Sequence, residues 1–133
     1  MGGKSGNQSG AVAVEFALVL PLFLVLVIGV VEFGLIMYSK AVITNASREG
    51  ARLGVTYSLP RKTAAEIETR VRDYLTPAGL NDATLTVTGA GGSTGSLLDV
   101  NVTYIYHFLV LPQLVTTLSG DLTLVGETVM RME

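Results

Sequence analysis

Few side chains in this chain of 133 residues are placed to do chemistry, and the most telling is a carboxylate set where carboxylates are costly. Glu15 stands near the start of an apolar run from Ala11 to Tyr38 that is otherwise interrupted only by Glu32. An acidic side chain at mid-bilayer costs about 2.5–3.5 kcal/mol, so a carboxylate inside a membrane helix is read as having a task. Two further patterns imitate catalytic machinery. Gly91-Gly92-Ser93-Thr94-Gly95 has the G-x-S-x-G form of a hydrolase elbow, which works only on a strained strand-to-helix turn. Here it falls in the glycine-rich link GAGGSTGS between two strand patterns, and a flexible hairpin loop is expected. His107 with Asp99 or Asp121 can be drawn as a triad, yet the chain is too small to build that site beside a membrane helix, and His107 is expected in a strand. Without cysteine there are no disulfides, thiolate sites or cysteine nucleophiles, and the single histidine has no second one with which to share a metal. No catalytic residue, metal or cofactor is therefore assigned. A formal charge of −2 with no Lys/Arg cluster also argues against a nucleic-acid partner.

The elements that carry these residues follow from composition and periodicity. With 49% hydrophobic and 15% charged residues the chain is far more apolar than soluble proteins, where about 25% are charged. One membrane helix and one modest domain are the ceiling for this length. Residues 1–10, MGGKSGNQSG, are small and polar and should stay disordered. From Phe16 to Val31 there is no charge at all. That stretch rises roughly 24 Å as a helix, short of a hydrocarbon core of about 30 Å, so the flanks must contribute and the membrane part covers about residues 12–38. The small polar segment precedes the apolar run, the reverse of a secretory signal peptide. Pro21 frees the Ala17 carbonyl, so a bend is expected there.

Past Tyr38 the helix should continue into water, with Lys40, Thr44, Arg48 and Arg52 as its solvated stripe. Ala46, Gly50 and Gly54 form a small-xxx-small row that lets another backbone approach, either this chain's own sheet, the favoured reading, or a neighbouring helix. Tyr57 to Pro60 breaks the helix. Thr63 and Glu66 form a capping box for a second helix with the apolar stripe Ile67, Val71, Tyr74 and Leu75, ending at Thr76-Pro77-Ala78-Gly79. Three period-2 segments follow: Thr84 to Thr88, the alternation from Leu98 to Tyr106, and Leu122 to Met132. The expectation is an α+β, pilin-like fold: a long N-terminal transmembrane helix leading into a small outer domain with a second helix and a three-stranded antiparallel sheet.

The order Gly10, Ala11, Val12, Ala13, Val14, Glu15, Phe16 resembles the type IV pilin processing site. Read on through GAVAVEFALVLPLFLVLVIGVVEFGLIMYSKAVITNASREGARLG, the chain resembles the TadE-like minor pseudopilins of tight-adherence (Tad/Flp, type IVc) pilus systems. Glu15-Phe16, the Leu20-Pro21 step, Glu32 and the segment Asn45 to Arg52 carry the likeness over roughly the first 57 residues, and Met130 to Glu133 carry it weakly. The resemblance implies a leader of residues 1–10 cut by prepilin peptidase after Gly10, a pilin helix over residues 11–57, and an extracytoplasmic domain over residues 58–133. It further implies the bacterial inner membrane as first location, with the outer domain in the periplasm, and then the pilus and cell surface. The implied partners are other pilins and pseudopilins, prepilin peptidase and the inner-membrane assembly platform.

Physical reasons stand beside that likeness. Glycine at the scissile bond offers a peptidase the least obstruction. Cleavage leaves an ammonium on Ala11 that cannot stay unpaired beside lipid, and Glu15, one turn away, can neutralise it within the chain or on a neighbour. Glu32 is the second, weaker candidate for such charge neutralisation. Two other readings remain open: a major filament subunit, and a single-pass anchor whose outer domain binds a partner without entering a filament.

Overall fold

The structure, a computed structural model, describes residues 6–109 and 120–133. Met1 to Ser5 of the expected leader lie outside the described residues. The first helix, α1, is Gly6–Val55 and runs unbroken through Pro21. The described part of the expected leader, from Gly6 to Gly10, is thus helical rather than disordered. Once a long helix exists, each added residue fixes two dihedrals and gains one hydrogen bond, so even small polar residues extend it at its end. The break falls after Val55, ahead of Tyr57 to Pro60, where the Leu59–Pro60 bond is cis.

The second helix, α2, is Ala64–Leu75 and opens on the capping box that the sequence spells. The Thr63 hydroxyl accepts the Glu66 N–H at 3.3 Å, and the Glu66 carboxylate accepts the Thr63 N–H at 2.9 Å. Ile67, Val71 and Leu75 are buried, whereas Tyr74 is 44% exposed and does not belong to the stripe. Positions 67, 71 and 75 stack every four residues along one line, and position 74 lies off that line. A single 3-10 turn, Thr76–Ala78, follows, and Gly79 closes it at φ 75°, a left-handed conformation suited to glycine.

Three strands complete the domain: β1 (Thr84–Thr88), β2 (Leu97–Tyr106) and β3 (Leu122–Arg131). They form one antiparallel sheet in the order β1-β2-β3. The period of two sets its sides. Leu98, Val100, Val102 and Tyr106 of β2 are buried, with Leu124 of β3 on the same face, while Asp99, Asn101, Thr103 and Ile105 point the other way. His107 lies one residue beyond β2 rather than within it.

By internal packing the described residues fall into two compact units. One holds α1 up to Gly34 together with Phe108 and Leu109, and the other holds Leu35–His107 with Gly120–Glu133. The core of the second unit combines Ile43, Ala46, Ser47 and Ala51 of α1 with Ile67, Val71 and Leu75 of α2 and the inner face of β2. Ser47 is the polar member. Its hydroxyl donates to the Thr44 carbonyl at 2.9 Å and lies 2.7 Å from the Thr128 hydroxyl, so burial leaves it bonded.

Candidate functional site

The site begins at Gly10. A Cβ built on Gly10 meets nothing within 4 Å, so the fold of this chain does not ask for glycine there. Glycine inside a helix costs roughly 0.5–1 kcal/mol relative to alanine, and Gly29 and Gly34 of the same helix are equally open. Ala11 to Leu26 are exposed, Glu15 among them, and Leu18 is 74% and Leu22 72% exposed. Glu15 lies four positions beyond Ala11, about one turn of rise along the helix. This helix is long and apolar enough to cross a membrane, and among the described residues none of its most apolar window is buried.

At the other end of the uncharged stretch Glu32 behaves differently. It is only 2% exposed, and its Oε1 accepts the backbone N–H of Leu109 at 2.7 Å. The two glutamates that look alike in the sequence therefore differ. One faces outward on the helix and the other holds a main-chain donor of the β2–β3 connection.

Further along α1, Gly50 and Gly54 are buried by the chain's own elements. An added Cβ at Gly50 would strike Val71 and approach Ile67 and Val100 at 3.4 Å, and at Gly54 it would strike Leu98 and come within 2.6 Å of Ile67. Ala46 is fully buried in the same core. The row thus seats α1 on α2 and β2. A third glycine, Gly126 of β3, was not marked by any periodicity. A Cβ there would lie 2.7 Å from the Ile43 carbonyl oxygen and 3.0 Å from the Thr44 nitrogen, so the α1 main chain crosses directly over β3. Lys40 donates to the neighbouring Val125 carbonyl.

Beside this seat lies an ion cluster that no local pattern announced. Glu49 accepts Arg52 at 2.9 Å and Arg70 of α2 at 2.6 Å. Hydrogen bonds from Arg52 and then Arg70 hold its carboxyl down at about 2, and Glu66, bonded by the Thr63 N–H and by Lys62, is likewise held at about 2. Glu49, Arg52 and Arg70 line an open groove with Leu53, Thr56, Ser58 and Lys62.

The catalytic lookalikes come apart. Gly91 to Gly95 sits in the link between β1 and β2, with positive φ at Gly91 and Gly95, and Ser93 accepts from Ser96 through its carbonyl at 3.0 Å. That is a strand-to-strand turn and not a nucleophile elbow. His107 does meet Asp121, at 2.8 Å, but both are largely exposed. Among the described residues no group of three or more His, Cys, Asp or Glu is placed to hold a metal ion.

Residues 10–52 match the family model described as TadE-like protein. Over that segment, about a third of the chain, the sequence is similar to TadE-like proteins. No curated protein and no solved structure gives a significant match to it. The TadE-like segment takes in Gly10, Ala11, Glu15, Glu32, Ala46 and Gly50, and it stops two residues short of Gly54. It covers the apolar stretch and most of the part of α1 that seats the domain.

Proposed function

We propose that the chain is a minor pseudopilin of a tight-adherence type IV pilus, cut by prepilin peptidase between Gly10 and Ala11 and drawn into the pilus through α1. The observation that carries the reading is the segment similar to TadE-like proteins starting at Gly10, on a helix whose apolar surface is left exposed among the described residues. Gly10 serves the peptidase, since the chain's own packing has no use for it. Glu15 neutralises the new amino-terminus of Ala11, on the same chain or on a neighbour docked beside it. Glu32 is the lesser candidate for that role, because its Oε1 already accepts Leu109. The role proposed is structural and not enzymatic.

In this reading the helix first sits in the bacterial inner membrane as a single pass, with the domain in the periplasm, and meets other pseudopilins, the peptidase and the assembly platform there. The test is the mass of the mature chain in cells that carry the peptidase. A chain beginning at Ala11, and a Gly10→Val variant left uncut, are expected. Normal cutting of the valine variant, or an intact start upstream of Gly10, would overturn the processing step and favour a plain membrane anchor. Abundance in sheared filaments would instead mark a major subunit.

A further inference from the structure

The bond between Glu32 and Leu109 ties the connection that follows β2 to the membrane helix. Glu32 stands just past the uncharged stretch of α1, next to Val30, Val31 and Phe33, all well exposed. A backbone N–H brought to the level of lipid must find an acceptor within the protein, and the buried carboxylate supplies one to Leu109 at 2.7 Å. The Leu109 side chain is itself 64% exposed. The sequence there is unusual for a connection between strands. From Phe108 to Gly120 it carries no charge, and it opens Phe-Leu-Val-Leu. Connections that run through water are ordinarily polar, whereas here the exposed Leu109 beside the half-buried Phe108 forms a small apolar patch, which marks a binding surface where it adjoins a larger one.

We propose that Phe108 and Leu109, clamped to α1 by Glu32, form a second contact with the membrane, entering the interface of the outer leaflet beside the helix. Lipid is the occupant because the patch continues the apolar surface of α1, the part of the chain read as spanning the bilayer, and has no charge that would select a polar partner. This inference rests on the membrane-spanning reading but on neither processing nor filament entry.

The chain has no tryptophan, so one introduced indole reports alone. The full chain is reconstituted in vesicles of phosphatidylethanolamine and phosphatidylglycerol containing spin-labelled phosphatidylcholine. Three variants are read: Leu109→Trp, Val25→Trp in the middle of the apolar stretch, and Val129→Trp on β3 as the water reference. Leu109→Trp should show blue-shifted emission quenched by shallow labels, Val25→Trp should be quenched by deep labels, and Val129→Trp by neither. Adding Glu32→Ala should remove most of the quenching at Leu109→Trp and leave Val25→Trp unchanged. Water-like, unquenched emission at Leu109→Trp alongside normal quenching at Val25→Trp overturns the second contact alone. Blue-shifted but unquenched emission means protein rather than lipid covers the residue, and overturns it too. Undiminished quenching with Glu32→Ala overturns the clamp, and loss of quenching at Val25→Trp removes the span and the contact together.

Discussion

Glu15 and Glu49 stand in contrasting surroundings, one exposed on the apolar part of α1 and the other held between two guanidiniums. Attraction between Glu15 and an ammonium grows as lipid and neighbouring helices exclude water, which favours a docked subunit over a lone one. Glu15→Gln should therefore leave cutting, insertion and domain stability near wild type while reducing co-purification with partner pseudopilins and lowering piliation, with Glu15→Asp intermediate. Undiminished recovery and normal piliation would sink the assembly role. Glu49 faces two guanidiniums, and its carboxyl is held below the ordinary 4.5, at about 2. A depressed carboxylate adds stability that is fully present above its unfolded value and fades as pH falls towards its folded one. Domain stability should thus decline between pH 4.5 and about 2, and Glu49→Gln should lower the denaturation midpoint at neutral pH and flatten that decline. A wild-type slope in the variant would show that other groups carry the acid dependence. Glu15 stands out in the sequence as an acid among apolar residues, which makes it a candidate and no more. The role of Glu49 was not legible there, since Arg70 lies 21 residues away and only the packing of α2 brings it in.

Elements whose signals are local could be read, and those set by tertiary contact could not. The capping box at Thr63 and Glu66, the alternation along β2 and the uncharged run of α1 each depend on neighbours within a few residues. Thr63→Ala should accordingly cost the domain about 1 kcal/mol, the usual worth of an N-cap, read as a lowered urea midpoint with the slope unchanged. Tyr74 was misread because a stripe's edge is decided by what packs against it, here leaving the ring 44% exposed. Gly126 escaped notice because a strand glycine looks the same whether or not a helix crosses it. Gly126→Val must push against the Ile43 main chain, which has no flexible end to give way, so a loss of about 1–3 kcal/mol or more is expected. Gly10→Ala, with open space around it, should leave the same midpoint unchanged.

Orientation is a property of the whole molecule, and here two rules conflict. Lys40, Arg48, Arg52, Arg61 and Lys62 follow the apolar stretch while Lys4 stands alone before it, so counting near-flank charges would place the domain in the cytoplasm. Several of those charges are engaged in the folded domain: Lys40 with the Val125 carbonyl, Arg52 with Glu49, Arg61 with Thr94 and the Glu133 carbonyl, and Lys62 with Glu66. A phosphatase reporter joined after Glu133 should accordingly be active in the periplasm, and activity confined to the cytoplasm would reverse the assignment. The seating of α1 on β3 bears on timing as well. Lys40 and its acceptor Val125 are 85 residues apart, and at about 5–20 residues per second roughly 4–17 s of synthesis separate them. For all that time Lys40 has been made while its acceptor has not, and Ile43 and Thr44 wait almost as long for Gly126 of the strand that will lie beneath them. Early ribosomal products therefore carry an open helix surface, vulnerable to proteases and to premature pairing with sister chains, until the last strand arrives.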